Sequence, residues 1–579
     1  MTYLFNDPAK FADELAEGYA AAHRDKIRRI DGGVIRRHEA KPGQVVVIIG
    51  GGTGHYPAFG GFVGQGLAHG AALGNIFAAP SAQQICNVAY AADADGGILF
   101  CYANYAGDVL NFTQAQERLR AQGIDVRTVI VTDDIASAPL DEQHKRRGIA
   151  GALAVFKTAA AAADAGKPLD EVVRVATSAN DHVRSLGVAF SGCTLPGADK
   201  PLFAVAAGAM EVGMGIHGEP GLDHVKAPAA DELAEMLVDK LLTEIPETVN
   251  NISGARIGVI LNGLGAVKYE ELFVVYRKIE RLLTERGLTI VAPVVDEIIT
   301  SFDMAGVSLT LFWLDDELEQ SWLAAADTPA FHRGVIVYDS FAIDSNTEAK
   351  QTCDKHPVKP GSAESQAVAS IVLAGLVAAL KAVAAQQDEL GRLDAIAGDG
   401  DHGIGMRRGL TAAVDAARMA IAEQAGAGTT LIIAGDAWSG RAGGTSGMLW
   451  GAILHNFGHA VGDGTKPDAA TIATGITAAL HAVIAAGKAQ LNDKTLVDVL
   501  HPFSTALMKG ATQGLSTSEA WTAAAEVAKQ SAEATKNLTP KIGRARPHAE
   551  KSIGNPDPGA MSMALIIDAA GEIIRRHCF

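Results

Sequence analysis

The sequence contains few cysteines, and their spacing indicates no paired arrangement. No two of them form a Cys-x-x-Cys unit, so neither a disulfide framework nor a zinc ribbon is indicated. An odd number of widely spread thiols fits a reducing compartment, and we therefore expect a cytoplasmic protein. The five are Cys86, Cys101, Cys193, Cys353 and Cys578.

Positive charge and long apolar runs are also scarce. The 49 basic and 66 acidic residues give a net charge of −17, which argues against a nucleic-acid partner or an anionic membrane. The most apolar stretch, residues 367–385, contains Lys381 and is rich in alanine, so it predicts a buried helix and no membrane span. The amino terminus carries Asp7, Asp13 and Glu14 and lacks the pattern of a signal peptide.

Two common nucleotide motifs are missing. No GxxxxGK[ST] occurs, which excludes a P-loop. Residues 50–59 (GGGTGHYPAF) follow an apolar run, but a dinucleotide fingerprint fails because its third glycine falls on His55. A strand, a glycine turn and a helix still form an anion site from backbone N–H groups. The alternative is a tight structural turn, although His55 favours a small-ligand pocket.

The chain length and its patterning predict several domains. At 579 residues, two to four domains are expected, and 48% hydrophobic with 20% charged residues is typical of globular proteins. Alternating strands and helices favour largely parallel sheets in two α/β lobes, residues 1–188 and 189–340. Strands are predicted at residues 44–49, 97–102, 126–132, 202–206, 256–261, 288–294 and 307–313, and helices at 108–122 and 269–286.

The composition and the hydrophobic periodicity of the chain change after a polar stretch. Residues 344–364 are polar and contain two prolines, which predicts a linker spanning 341–364. Beyond it, Ala- and Leu-rich segments with helical spacing predict an all-helical domain over residues 365–579. Its predicted helices are 365–386, 409–424, 468–486, 495–509 and 518–533.

An acidic, glycine-rich stretch lies in this helical half. Residues 393–406 read LDAIAGDGDHGIGM, with Asp394, Asp399 and Asp401 among four glycines. Glycines let the backbone turn sharply, so the three carboxylates can converge on one cation, and hard oxygen ligands suit Mg²⁺. The alternative is an acidic turn that caps a helix. An EF-hand fits poorly because Leu410 stands where that loop needs a glutamate.

Two further loops carry candidate catalytic groups. Asp108 follows the strand predicted at 97–102, at the end of a parallel strand where ligands bind, although taken alone it is better explained as a helix cap. Together with His55 it could transfer a hydroxyl proton. His217 lies between glycines in EVGMGIHGEPG, residues 211–221. A neutral imidazole there is either a structural hydrogen-bonding group or a nucleophile toward a carbonyl.

Polar turns in the helical half offer phosphate contacts. GGTSG at 443–447 could hold phosphate through backbone N–H groups, and DPG at 557–559 could be an ordinary turn. Arg544 and Arg546 either pair with phosphate or solvate a loop.

Taken in order, these motifs resemble the dihydroxyacetone kinases, in the single-chain form that uses ATP and joins a K-type α/β part to an L-type helical part. The resemblance covers almost the whole chain. It rests on GGGTGH at 50–55, NYAGDVLNF at 104–112, DD at 133–134, RRGIAG at 146–151, EVGMGIHGEPG at 211–221, SFDMAGVSLTL at 301–311, LDAIAGDGDHG at 393–403, GGTSG at 443–447, DKTLVD at 493–498 and DPGA at 557–560.

The resemblance implies an ATP- and Mg²⁺-dependent kinase that phosphorylates a terminal hydroxyl of a short-chain ketose. His217 matches the histidine that forms a hemiaminal with the substrate carbonyl carbon, which selects ketones over polyols. His55 and Asp108 match residues beside the accepting hydroxyl. The residues that match the family's contacts to the sugar are Gly52, Thr53, Gly54, His55 and Asp108.

The resemblance also implies the donor side and the assembly. Asp394, Asp399 and Asp401 match magnesium ligands in a barrel of antiparallel helices. The family tends to dimerise, which predicts a homodimer in which ATP reaches the sugar site of the partner chain. The nucleotide pocket matches Gly403, Ile404, Gly405, Met406, Gly444, Thr445, Ser446, Gly447, Arg544, Asp557, Pro558 and Gly559.

Two departures from the family pattern border the sugar pocket. Tyr56-Pro57 stands where Glu-Pro is usual, and Ala103 precedes Asn104 where a basic residue is expected. We interpret Tyr56 as marking a pocket for a ketotetrose such as erythrulose in place of dihydroxyacetone. The alternative functions are a non-catalytic sugar-binding regulator, which would not need the three aspartates, and an FMN-cyclising lyase side activity.

Overall fold

The computed structural model describes residues 2–219, 221–249, 251–336, 358–398, 400–542 and 549–577. The chain forms two compact units, Met1–Cys353 and Asp354–Phe579. The predicted linker at 341–364 lies outside the described residues as far as residue 357.

A six-stranded sheet organises the first lobe of the α/β unit, in the order β1-β2-β4-β3-β5-β6. The strands β4, β3, β5 and β6 are parallel, whereas β2 pairs antiparallel with both β1 and β4. Both β3 and β5 are buried along their whole length, which explains their continuous apolar runs. The strands are Ile27–Ile30 (β1), Gly33–Arg36 (β2), Val46–Thr53 (β3), Gly70–Ile76 (β4), Ile98–Ala103 (β5) and Val126–Val131 (β6).

Five helices accompany this sheet. The helix α4 is buried along nearly its whole length, and Asp133 accepts a hydrogen bond from the backbone N–H of Gly151 at its start. The DD and RRGIAG motifs therefore join the end of β6 to the start of α4. The helices are Phe11–Ala22 (α1), Ala82–Ala92 (α2), Ala106–Ala121 (α3), Ala152–Asp164 (α4) and Leu169–Asp181 (α5).

The second lobe contains a seven-stranded sheet in the order β11-β10-β13-β7-β8-β9, with β12 also paired to β10. The prediction of a largely parallel sheet is wrong here, because only β11 and β12 run parallel to β10. Hairpin partners such as β8 and β9 replace helical crossovers. The strands are Val183–Ala189 (β7), Ala209–Val212 (β8), Asp223–Lys226 (β9), Arg256–Gly263 (β10), Thr289–Ile290 (β11), Val294–Glu297 (β12) and Gly306–Leu314 (β13), and the helices are Ala230–Leu241 (α6) and Tyr269–Glu285 (α7).

Two features of this lobe differ from the sequence prediction. The strand predicted at 202–206 is a loop, whose Leu202 and Phe203 pack against the core of the first lobe. The chain also returns to that core after β13, through α8 (Asp316–Leu323), β14 (Ala326–Asp327) and β15 (His332–Arg333). Trp322 and Phe331 are part of the same core cluster, so the two lobes interleave in sequence.

The second unit is helical, as predicted. The helix α11 begins at His402, seven positions before its predicted start, because its first turn accommodates Gly403 and Gly405. The helices α10, α12, α13, α17 and α18 lie outside the five segments named above as examples of the helical pattern. The helices are Ala363–Ala385 (α9), Gln387–Asp394 (α10), His402–Ala422 (α11), Ala427–Ala442 (α12), Gly444–Val461 (α13), Ala469–Gly487 (α14), Val497–Thr512 (α15), Thr517–Ala534 (α16), Ala549–Ser552 (α17) and Pro558–Arg576 (α18).

Two helices in the described part of the chain, α9 and α14, are long and apolar enough to cross a membrane by length and composition alone. Both contribute side chains to the core of the helical unit. They also line an apolar cavity of about 170 Å³ inside it. Only 28% of the most apolar window of α9 is buried, so the expectation of a buried helix is met for one face of α9 only.

Candidate active site

Two histidines from distant parts of the chain face each other in the α/β unit. His55 follows β3, and His217 lies in the turn between β8 and β9. Their Nε2 atoms are 3.0 Å apart, and both side chains are almost entirely buried. The two loops that the sequence presents separately therefore form one site.

The outer ring nitrogens determine where the protons lie. The Nδ1 atom of His55 is 2.7 Å from the carbonyl oxygen of Thr300, which only accepts, so this nitrogen carries a hydrogen. The Nδ1 atom of His217 is 3.1 Å from Oε1 of Glu219 and donates to that carboxylate. If neither Nε2 atom carried a hydrogen, their lone pairs would repel each other at this distance. A hydrogen bond between them therefore requires a proton on one of the two Nε2 atoms, which would give the pair one positive charge.

Aromatic rings enclose the histidine pair. Phe77 stacks on His55 at 4.8 Å between ring centroids and meets His217 edge-on at 5.3 Å. Tyr105 meets His217 at 4.7 Å in a perpendicular arrangement. Phe77 has a φ of 52° and Phe302 a φ of 47°, a left-handed conformation that strains non-glycine residues. Such strain is common where a side chain is held for function.

The glycine loop after β3 is packed tightly by protein atoms. A Cβ on Gly54, whose φ is 105°, would lie 2.6 Å from Phe302 and 2.9 Å from Phe77. A Cβ on Gly52 would lie 2.8 Å from the backbone N of Ala78. The hydroxyl of Thr53 donates to the carbonyl of Gly74 at 2.6 Å. Packing therefore explains these residue types without a ligand, and it brings Phe77 against the histidines.

Asp108 lies in the first turn of α3 and is 8% exposed. It is three positions after Tyr105, so the two side chains share one face of the helix start. Burial, and after it the carboxylate of Asp108, raises the pKa of the Tyr102 phenol, so Asp108 acts electrostatically on Tyr102.

Tyr56 points elsewhere. Its ring is 46% exposed and packs edge-on against Tyr19, with 5.8 Å between centroids. Burial raises the pKa of its phenol, and the carboxylates of Asp296 and Glu297 add to this. The residue therefore borders the site through its backbone, whose carbonyl accepts from the Thr300 hydroxyl at 2.8 Å.

In the helical unit, the predicted carboxylates gather at helix ends. Asp394 ends α10 and accepts from the backbone N–H of His402 at 3.3 Å. Asp401 precedes α11 and is exposed, and the surrounding protein and then the carboxylate of Asp394 raise its pKa. Burial, with Asp394 contributing, likewise raises the pKa of Asp557 to about 7. Asp399 lies outside the described residues.

The carboxylate oxygens of these residues are chemically suited to bind a hard cation. Among the described residues, no group of three His, Cys, Asp or Glu side chains is arranged to hold a metal ion. Asp394 nevertheless acts electrostatically on both Asp401 and Asp557. Crowded like charges in a set of oxygen donors are relieved by a bound cation such as Mg²⁺.

Three helix N-termini surround the carboxylates. The Nε2 atom of His402 is 2.9 Å from the hydroxyl of Ser562, which joins the starts of α11 and α18. A Cβ on Gly405 would lie 4.0 Å from the carbonyl of Ala442, where α12 ends just before α13. Helix N-termini present free N–H groups and positive dipole ends, which suit phosphates.

The predicted nucleotide residues are distributed around these helix starts. Gly403 packs against the carbonyl of Gln387, and Ile404 is 48% exposed. The side chain of Met406 is buried in the helical core, which argues for a packing role. Gly444, Thr445, Ser446 and Gly447 form the first turn of α13, and Asp557, Pro558 and Gly559 form the start of α18. Arg544 and Arg546 lie outside the described residues.

Sequence reasoning missed Phe77, Tyr105 and Glu219 as site residues. Tyr105 and Glu219 both lie in the quoted motifs NYAGDVLN and EVGMGIHGEPG. Phe77 directly follows β4, which is parallel to β3, so a residue at the strand end was the available signal.

The chain thus combines an α/β part that holds a buried histidine pair with a helical part that gathers carboxylates at helix N-termini. Residues 17–330 match the Dak1 domain, and residues 396–572 match the DAK2 domain. The chain belongs to the dihydroxyacetone kinase family, in the form that carries both domains in one polypeptide.

Individual relatives refine this assignment. The L-erythrulose kinase of Pectobacterium atrosepticum is 56% identical over 99% of this chain and 97% of its own length. The D-erythrulose kinase of Mycolicibacterium smegmatis is 50% identical over 99% of both chains. The dihydroxyacetone kinase of C. freundii, solved in complex with AMP-PNP and Mg²⁺, is 29% identical with a TM-score of 0.52 and covers 99% of both chains.

Proposed function

We propose that this chain is an ATP-dependent kinase that phosphorylates a terminal hydroxyl of erythrulose, which is held as a hemiaminal on His217. The observation that carries the proposal is the full-length similarity to erythrulose kinases at 50% to 56% identity. The histidine pair supplies the mechanism of substrate capture.

Capture uses the proton that the two imidazoles share. With Nδ1 protonated, the Nε2 lone pair of His217 attacks the ketone carbon and the C=O π electrons move to oxygen. The Nε2–H of His55 then protonates this oxygen, which gives the hemiaminal hydroxyl and a neutral His55. The resulting N-substituted imidazolium of His217 keeps its Nδ1–H bond to Glu219. The ketone thus inserts between two nitrogens that are 3.0 Å apart in the free protein.

Neutral His55 and Asp108 are the proposed bases for the next step. They accept the proton of the terminal hydroxyl as it attacks the phosphoryl group. We propose Gly52, Thr53 and Gly54 as further substrate-binding residues, through backbone groups, since the Thr53 hydroxyl is already used.

The donor site is proposed in the helical unit. Asp394, Asp399 and Asp401 are the proposed magnesium ligands, and the metal, when bound, neutralises phosphate charge during transfer. The N-terminal turns of α11, α13 and α18, together with Arg544, are the proposed nucleotide contacts. Met406 supports this pocket by packing.

The other functions are less favoured. A sugar-binding regulator would not require the helical half, yet residues 396–572 match the DAK2 domain. An FMN-cyclising lyase would not require a covalent histidine. We further propose a cytoplasmic homodimer, on the grounds of cysteine usage and family resemblance.

Steady-state kinetics with a range of acceptors test the proposal. ADP release should be efficient with D- or L-erythrulose, weaker with dihydroxyacetone and absent with glycerol. Intact-protein mass spectrometry should detect one bound erythrulose on the wild type and none on His217→Ala. A preference for dihydroxyacetone over both erythrulose enantiomers would reject the substrate assignment. Full activity of His217→Ala would reject covalent capture.

A further inference from the structure

A series of charged, largely buried side chains lies next to His217. Glu219 contacts the His217 ring, and Arg147 lies 3.9 Å from Oε2 of Glu219 through its Nη1 atom. Arg147 in turn donates from Nε to Asp134 at 3.0 Å. The order Asp134, Arg147, Glu219 and the histidine pair alternates negative and positive charge.

Glu219 uses its two oxygens for two different groups of the same residue. Oε1 accepts from Nδ1 of His217 at 3.1 Å, and Oε2 accepts from the backbone N–H of His217 at 3.0 Å. The carboxylate therefore fixes both the turn and the ring plane. Neither contact needs a charge when taken alone, but the backbone N–H requires an oxygen at the Oε2 position.

The turn is built closely around this carboxylate. A Cβ on Gly215 would lie 2.1 Å from Oε2 of Glu219 and 2.5 Å from Nη1 of Arg147. Gly218 adopts a φ of 83°, which brings the chain back toward His217. A side chain at position 215 would displace Glu219, so Gly215 serves the carboxylate contact, whereas a Cβ on Gly218 would meet the ring of Phe203 at 2.1 Å.

Arg147 is held rigidly. Its Nη2 atom donates to the carbonyl of Gly213 at 2.8 Å, on the strand side of the His217 turn. Asp134 is 2% exposed, and its backbone N–H donates to the carbonyl of Arg147. Arg147 and Asp134 of the first lobe therefore hold in place the turn that carries His217.

We infer that Glu219, held by Arg147 and Asp134, is a positioning residue that keeps His217 in the Nδ1–H tautomer and so exposes the Nε2 lone pair to the ketone. This inference rests on the proposed role of His217 as the nucleophile. The carboxylate also balances the positive charge of the shared proton, and the four-member chain is then neutral overall.

The substitution Glu219→Gln gives an isosteric test. The backbone N–H of His217 keeps the amide oxygen at the Oε2 position, which turns the amide NH₂ toward Nδ1. An NH₂ donor forces Nδ1 to accept, so the ring proton moves to Nε2 and the nucleophilic lone pair is lost. A carboxylate-to-amide change at the Ser-His-Asp triad, which inverts the tautomer in the same way, lowers turnover roughly 10⁴-fold.

The experiment compares Glu219→Gln with Glu211→Gln. Glu211 on β8 pairs with Nδ1 of His224 at 2.5 Å, so the control breaks an equivalent Glu–His pair on the same hairpin. Proton placement is read by NMR of protein with ¹⁵N-labelled histidine, and capture is read as the mass of the erythrulose adduct. Melting temperatures check that both variants fold.

For Glu219→Gln we expect protonated Nε2 on His217, loss of the adduct and a fall in kcat/KM of roughly 10²- to 10⁴-fold, with an unchanged melting temperature. Glu211→Gln should match the wild type. The inference is overturned if Glu219→Gln keeps Nδ1–H on His217, or keeps the adduct, or if Glu211→Gln loses as much activity. If wild-type protein forms no adduct at all, the proposed function fails first, which distinguishes the two outcomes.

Discussion

Lys157 is a fully buried lysine in the middle of α4, and its replacement by methionine should stabilise the α/β unit. Burial, reinforced by the positive charge of Arg333, lowers its pKa from 10.5 to about 7. Its ammonium group donates one hydrogen bond, to the carbonyl of Ser321 at 3.0 Å. A buried cation with so little compensation destabilises the fold.

The magnitude follows from proton linkage. Because the folded pKa lies below the unfolded one, the unfolded chain binds more protons between pH 7 and pH 10.5, and wild-type stability rises with pH through this window. At pH 7 the lysine costs on the order of 4 kcal/mol, and near pH 10 less than about 1 kcal/mol. Methionine removes this cost but leaves the Ser321 carbonyl unpaired, at about 1 to 2 kcal/mol.

We therefore expect Lys157→Met to gain roughly 2 to 3 kcal/mol at pH 7 and little or nothing at pH 10. Urea unfolding followed by pulse proteolysis measures the α/β unit through its own fragments. Lys167→Met, which removes a half-exposed lysine just after the same helix, is the matched control and should change stability by no more than about 0.5 kcal/mol. An equal effect of Lys157→Met at both pH values, or a loss at pH 7, would contradict the reasoning.

Three further predictions concern the candidate site. Asp401→Asn should lower ADP production by roughly 10²-fold or more while the erythrulose adduct still forms, because capture takes place in the α/β unit; loss of the adduct as well would argue against separate sites. A mixture of His217→Ala and Asp399→Ala chains should regain activity that neither shows alone, and an inactive mixture would disprove donation between chains. Gly54→Ala should abolish adduct formation with the fold retained, because its Cβ would meet Phe302 at 2.6 Å and Phe77 at 2.9 Å; an intact adduct measured by mass would refute the packing argument.

Local periodicity predicted those elements whose burial follows a regular pattern along the chain, either continuous or along one face. The apolar runs of β3 and β5 and the amphipathic α7 were identified close to their observed bounds, because each is determined by its own side chains. The loop at 202–206 has similar composition but packs its apolar side chains from an irregular segment. The strand order of the second sheet depends on pairings over long sequence separations, which local patterns do not encode.

Local sequence patterns predicted even less of the candidate site than of the fold. His55 and His217 are 162 positions apart, and family resemblance, rather than spacing, placed them together. Tyr56, interpreted from a motif departure as marking the sugar pocket, packs its ring against Tyr19, a contact that the motif does not predict. Adjacent residues in a turn point in different directions, so a motif identifies the loop but not which side chain enters the pocket.

The surroundings of His217 also explain why covalent capture would suit a small, flexible sugar. Phe77 and Tyr105 form its walls through ring contacts, and the Thr53 hydroxyl is occupied by the protein. These ring faces add little hydroxyl recognition to the proposed contacts of His55, Asp108 and residues 52–54, so a bond to the carbonyl carbon supplies affinity beyond those hydrogen bonds. A polyol has no electrophilic carbon and gains nothing from the nucleophile, whereas aromatic walls accept three- and four-carbon ketones alike. On this argument the histidine decides between ketone and polyol, and chain length is decided by groups further along the sugar.

Erythritol, the reduced counterpart of erythrulose, should therefore fail to inhibit the enzyme even at concentrations at which erythrulose saturates it. Competitive inhibition by erythritol would show that the hydroxyl contacts suffice for binding.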